Sequence, residues 1–182
     1  MKYLITFLSL FLCQVSLAKQ QSPLAHTFTG LNGKTHQISE VLGEKPIYIK
    51  FWASWCVPCN QQMPHFQQAY EQYGEKIQFY SVNIDLNDEK SMVSGMVDKY
   101  QLTMPTIMDS EGALSHHFEL KGTPLHIIIN RQGQVVHKTH EADKNLDNIL
   151  SLLTKKEEGQ LPAIELTASN ADTLLLNIPK QG

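Results

Sequence analysis

The sequence predicts an α/β fold: one central mixed β-sheet flanked by helices, with a short N-terminal β-hairpin. Three observations carry this expectation. Runs of β-branched and aromatic residues at 46–52, 77–84, 106–108 and 125–129 read as strands. Between and after them, segments 60–73, 88–100 and 145–153 repeat apolar residues at three- and four-residue steps, as amphipathic helices do. The resulting order β-α-β-α-β-β-α, part parallel and closed by a hairpin, implies one sheet between helices.

Taken in order, residues 28–31 and 35–38 flank Asn32 and Gly33 and read as a hairpin. Ser39 can cap a brief turn through Leu42. Residues 46–52 (PIYIKFW) are almost continuously apolar, as in a strand buried on both faces. In the helix that follows, Met63, Phe66, Ala69, Tyr70 and Tyr73 share one face, and Gly74 ends it. Residues 77–84 (IQFYSVNI) form the next strand. Met92, Val93, Met96, Val97 and Tyr100 mark the next helix. Residues 106–108 read as a short strand and 113–118 as a short helix. The run LHIII at 125–129 turns through Arg131, Gln132 and Gly133 into a partner strand at 134–138. Leu146, Ile149, Leu150 and Leu153 line the last helix.

The ends differ from this middle. Lys2 precedes an almost entirely apolar stretch from Tyr3 to Leu12, and Ser16 and Ala18 stand at the two positions a signal peptidase reads. Residues 1–18 are therefore expected to be a signal peptide, and the protein to be exported and periplasmic. An uncleaved membrane anchor is the alternative, although the apolar run falls short of the ~20 residues a span needs. Leu12 argues against a lipoprotein reading of Cys13. Residues 22–154 are expected to form the domain. Residues 155–182 form a C-terminal extension of unassigned role, with a polar linker and two short β-like runs. The net charge of −3 and the lack of a basic run give no sign of nucleic-acid binding.

Cleavage after Ala18 would leave Cys56 and Cys59 alone among the three cysteines. Export takes them into an oxidising compartment, where disulfides persist. A disulfide across so short a span restrains little chain, so the pair is expected to be chemical rather than structural. Cys56 lies where a strand ends and a helix begins. Unpartnered N–H groups and the helix dipole stabilise a thiolate there. Pro58 suits the first helical turn and stiffens the link. Cys59 lies one turn in and is more shielded. Cys56 would attack a disulfide and Cys59 would resolve the mixed disulfide. Tetrahedral zinc needs four ligands, and His116 and His117 are adjacent and distant. Haem attachment needs histidine after the second cysteine, where this chain has Asn60. No metal or cofactor is expected. The remaining histidines, His126, His137 and His140 among them, read as surface or packed residues, and the methionines as core filler.

FWASWCVPC resembles the active-site segment of the thioredoxin superfamily. Pro64, YSVNID, MPTIMDSEG and GTPLHIIINRQGQVV, together with the Asn-Gly-Lys hairpin, narrow the likeness to TlpA/ResA-like exported thiol–disulfide oxidoreductases, over roughly residues 23–153. The resemblance implies a thioredoxin-like fold, Cys56 as attacking and Cys59 as resolving cysteine, and Thr123-Pro124 as a cis-proline pair facing the disulfide. Pro105 is the other candidate for that role. Trp55, Val57, Pro58, Thr123 and Pro124 would then contact substrate, with Trp55 an exposed apolar rim and Trp52 a core residue.

Two positions depart from the family pattern. Thioredoxin proper has a buried aspartate at the place of Lys50. A lysine there could favour thiolate or lose its own charge by desolvation. The expectation is that its stem lies on apolar surface and its amine reaches water. ResA-like reductases often carry glutamate where this chain has Gln62, which weakens a dedicated role in haem-protein maturation. Asp85 is a possible substitute acid, more simply a solvated strand-end residue. The implied function is reduction of protein disulfides outside the cytoplasm, with dithiol and disulfide proteins as substrates and a membrane electron donor of the DsbD/CcdA type. The alternatives are a disulfide oxidase or isomerase, and a metal-binding chaperone on the same scaffold.

Overall fold

A computed structural model describes residues 23–155. The expected signal peptide and the extension beyond Lys155 lie outside the described residues. Strands β1 (Thr27–Thr29) and β2 (Thr35–Gln37) pair antiparallel as the N-terminal hairpin. Its turn places Gly33 at a φ of 79°, a left-handed conformation that glycine adopts without steric cost. The Leu31 N–H then bonds the Thr106 carbonyl at 2.8 Å and ties the hairpin to the main sheet. The turn after β2 is a 3-10 helix, Ile38–Val41.

The main sheet has β3 (Ile47–Trp52) at its centre. Parallel to it runs β4 (Gln78–Asn83), and outside that β5 (Thr106–Met108). On the other side β6 (Leu125–Ile129) and β7 (Val135–Thr139) run antiparallel, giving the order β5-β4-β3-β6-β7. Helices α3 (Lys90–Lys99), α4 (Ala113–His117) and α5 (Lys144–Lys155) follow the expected spacing.

The helix expected over 60–73 is instead two. α1 (Val57–Gln61) begins directly after Cys56, and α2 (Met63–Tyr73) follows a break at Gln62. Pro64 explains the break: it has no N–H to donate, and its ring crowds the carbonyl four residues back. The break leaves Gln62 between the two helices, where its side chain bonds Lys50 and His126.

The strand alternation sorts side chains onto two faces. Ile47, Ile49 and Phe51 of β3 pack with Tyr80, Val82, Ile107, Leu125, Ile127 and Ile129, covered by Leu114, Phe118 and the N-terminal hairpin. Tyr48 and Trp52 pack with Phe79 and Ile128 under α2 and α5, in the layer that also holds Cys56 and Cys59. Lys50 shares this second face. In register it pairs with Ser81 on one side and His126 on the other, and all three are fully buried. The expectation that the Lys50 amine reaches water is therefore wrong. β3 is the central strand, and its covered face offers a lysine no route to solvent.

Candidate active site

Cys56 is the N-cap of α1, with extended backbone, and Cys59 lies one turn on. The two are joined by a disulfide, with Cα atoms 5.2 Å apart. The Cys59 N–H donates to Cys56 Sγ at 3.2 Å, a contact that would stabilise negative charge on that sulfur after reduction. Cys56 keeps a trace of exposure, 4%, where Cys59 has none. Around the pair, Trp55 and Val57 are more than half exposed, at 51% and 65%.

The loop before Cys56 is anchored from below. The Asp88 carboxylate accepts from Ser54 N–H at 2.8 Å, from the Ser54 hydroxyl, and from Asn83 Nδ2 at 2.6 Å. Asn60 Nδ2 donates back to the Ser54 carbonyl at 2.9 Å, and Trp55 Nε1 to the Leu86 carbonyl at 2.7 Å. Asp88 is buried, whereas Asp85, the acid singled out in the sequence, is partly exposed and lies in a left-handed turn with φ 53°.

The Thr123–Pro124 peptide bond is cis. It immediately precedes β6, whose Leu125 pairs with Phe51 of β3, so the buried Pro124 sits beside the end of the strand that leads to Cys56. Pro105 belongs to the turn into β5, where its carbonyl accepts from Ser81 N–H at 2.9 Å.

A chain of buried polar contacts joins these parts. Gln62 Oε1 only accepts, so Lys50 Nζ at 3.3 Å and His126 Nε2 at 2.8 Å donate to it. Burial, with Lys50 and three other histidines nearby, holds the His126 pKa well below its usual value. The neutral ring then accepts at Nδ1 from the Tyr48 hydroxyl, 2.6 Å away. Burial raises the Tyr48 pKa well above its usual value, which keeps that donor protonated. Gln62 Nε2 donates to the His140 carbonyl at 3.1 Å, and His140 Nδ1 to the Pro124 carbonyl. Gln62 thus links the buried lysine to the cis-proline loop. Desolvation lowers the Lys50 pKa from 10.5 to about 7.

Of the residues the sequence singled out, the structure brings Trp55, Cys56, Val57, Pro58 and Cys59 together at the α1 start, with Thr123 and Pro124 opening the neighbouring strand. Lys50 shares the sheet face that meets the cysteine layer, and Gln62, the C-cap of α1, is hydrogen-bonded to it. Sequence reasoning missed Asp88, Tyr48, His126 and His140. A lone His in LHIII and a lone Lys in IYIKFW were the available signals, since each interrupts a buried strand. Among the described residues, no group of three or more His, Cys, Asp or Glu side chains could hold a metal ion, and no helix is long and apolar enough to cross a membrane.

Residues 18–153 match the redoxin family. The chain is 30% identical over 137 residues to the thiol-disulfide oxidoreductase ResA of Halalkalibacterium halodurans, covering 74% of this chain and 76% of that protein. It is 27% identical to the thioredoxin-like protein YneN of Bacillus subtilis, covering 76% and 82%. Two solved structures share the fold. A secreted Mycobacterium tuberculosis disulfide oxidoreductase homologous to E. coli DsbE matches at a TM-score of 0.63 and 19% identity, over 71% of this chain and 96% of that one. StoA of Bacillus subtilis matches at 0.60 and 20%, over 69% and 93%.

Proposed function

The chain belongs to the redoxin family, as a TlpA/ResA-like member of the thioredoxin superfamily, and from that premise we propose that it reduces protein disulfides outside the cytoplasm. It is a thiol–disulfide oxidoreductase with a thioredoxin-like fold. In our reading the Cys56 thiolate attacks the substrate disulfide and forms a mixed disulfide. Cys59 then attacks Cys56 Sγ, and the substrate leaves as two thiols. Electrons pass from the pair to the substrate, so the pair must be re-reduced, which suits a membrane donor of the DsbD/CcdA type. Residues 1–18 would direct export to the periplasm, 22–154 would be the catalytic domain, and 155–182 would extend beyond it.

The observation that carries this reading is the asymmetry of the pair. Cys56 stands at the rim with an N–H aimed at its sulfur, beside exposed Trp55 and Val57, while Cys59 is sealed beneath. Trp55, Val57 and Pro58 would contact substrate on one side. The backbone of Thr123, next to the N–H-free Pro124, would pair with an extended substrate segment on the other.

The test is the reduction potential of Cys56–Cys59 in protein lacking residues 1–18, with two variants alongside. A value near thioredoxin's, about −270 mV, supports reduction, and one near about −120 mV reverses the direction to oxidation. Cys56→Ala is expected to abolish disulfide reduction and Cys59→Ala to accumulate mixed disulfides. Normal turnover by Cys56→Ala would sink the mechanism. Stoichiometric metal uptake by the reduced protein would favour a metal-binding chaperone instead.

A further inference from the structure

Lys50 is an unusual occupant of its place. Its side chain is fully buried on the central strand, between Tyr48 and Trp52, facing the layer that holds Cys56 and Cys59. Its amine donates to neutral Gln62 and lies 5.7 Å from the centre of the Phe66 ring. Among the described residues no carboxylate is in ion-pair contact with it.

The groups around it are neutral or basic. His126 faces it from β6, in register and hydrogen-bonded to the same Gln62 oxygen. Tyr48 precedes it on its own strand, and Ser81 pairs with it from β4. Further out are His65 of α2, His137 of β7 and His140 after β7. Asp147 of α5 is taken by His65 at 2.8 Å, and Asp143 acts on His137. Asp88, beyond Trp52, is engaged by Ser54 and Asn83. The negative charge that could form in this layer and is not already committed is therefore a cysteine thiolate.

Building on the thiol–disulfide reading above, we infer that Lys50 is a redox-linked proton site: its amine binds a proton when the Cys56–Cys59 disulfide is reduced and gives it up when the disulfide re-forms. Two electrons from a dithiol reductant break the S–S bond, and the reductant becomes a disulfide. Cys59 takes one proton and becomes a thiol. Cys56 remains a thiolate, held by the Cys59 N–H. Its charge, in a low-dielectric layer, favours the ammonium form of Lys50, and a second proton binds there. Oxidation by a substrate disulfide runs the same steps backwards, and both protons leave with the substrate thiols or to water. Lys50 acts through the electrostatics of the pair and is a positioning residue.

The inference has a signature that thiols cannot produce. Thiols titrate only in the reduced protein, so each makes the potential less dependent on pH as pH rises. A group that loses its proton in the oxidised protein does the opposite. The oxidised protein places the Lys50 amine at about 7. The reduction potential should thus become steeper in pH above about pH 7, while the exchange constant with dithiothreitol, whose own oxidation releases two protons, flattens there. One further proton per two electrons adds up to tenfold per pH unit, about 30 mV.

The experiment measures the reduction potential from pH 6 to 9, by exchange with dithiothreitol referred to dithiothreitol's own potential at each pH, for the wild type, Lys50→Met and Lys50→Gln. Lys50→Gln keeps a donor for the Gln62 oxygen and removes only the ionisation. The expected result is a steepening break in the wild type that both variants lack. A wild-type curve without the break, or the same break in a folded variant, overturns the inference and leaves the thiol chemistry standing. A pair that does not exchange reversibly with dithiothreitol at any pH overturns the thiol reading itself.

Discussion

On one face of the sheet β3 contributes Ile47, Ile49 and Phe51, and on the other Tyr48, Lys50 and Trp52. All six side chains are fully buried. The first face meets only apolar partners, closed by Phe118, whose ring lies 5.9 Å from Phe51. The second is crossed by a polar row, Ser81, Lys50 and His126, and every member has a hydrogen-bond partner: Trp52 for Ser81, Gln62 for Lys50, Tyr48 and Gln62 for His126. Equal burial therefore hides unequal tasks. The apolar face holds the sheet together. The polar face accepts the cost of buried donors and a buried amine, and it meets the layer that holds the disulfide. Substitutions on the two faces should separate stability from redox chemistry.

The largest effect is expected on the apolar face. Phe51→Ala empties a fully buried aromatic site and should cost about 3–5 kcal/mol of stability. Denaturant unfolding measures the loss, and the reduction potential of the folded variant should stay at the wild-type value. A shifted potential would mean that the faces are not separable in this way.

Lys50→Met should move stability in the other direction. The Lys50 pKa is lowered from 10.5 to about 7 in the folded protein, so between those values the unfolded chain binds the extra proton. Stability then rises with pH across that window, and the full penalty is present below about pH 7. Removing the amine should remove the penalty, a gain on the order of a few kcal/mol near neutral pH. It should also flatten the pH dependence between pH 7 and 10. Unfolding midpoints across that range would show both, and a loss of stability would mean that the Gln62 bond outweighs desolvation.

Asp88→Ala should have a smaller and more local effect. It strips the acceptor from the Ser54 N–H and hydroxyl and from Asn83. Leaving those donors unpaired costs about 1–3 kcal/mol. The loop carrying Trp55 and Cys56 should loosen, and the alkylation rate of reduced Cys56 should change more than the melting temperature. An unchanged alkylation rate would show that Asp88 only supports β4.

These contrasts also show what the sequence could and could not convey. The order of strands and helices, the hairpin turn at Gly33 and the position of the cysteine pair were legible because local pattern determines them. Period-two alternation also makes Lys50 share a face with Tyr48 and Trp52. Whether that face meets water depends on α2 and α5, which are distant in sequence, and the lysine was misplaced for that reason. The break at Gln62 was hidden because Pro64 is also compatible with a first helical turn. Asp88, His126 and His140 are joined to the site by contacts across strands and loops, such as Gln62 with His140, that no local spacing encodes.

The smallest expected effect concerns His126, and it tests whether the polar row is tuned to the neutral ring. Burial lowers its pKa well below 6.5, so the unfolded chain binds the proton first as pH falls. Stability should therefore drop as pH falls below about 6.5, with His36, His117 and His137, also lowered by burial, adding to the slope. His126→Leu should be less stable than wild type at pH 8, because Tyr48 loses its acceptor and Gln62 one of its two donors. It cannot be protonated, however, so its melting temperature should fall less steeply with acid. The two curves should converge between pH 8 and pH 5. Parallel curves would assign the acid sensitivity to the other three histidines and leave His126 with only the part of a hydrogen-bonded spacer.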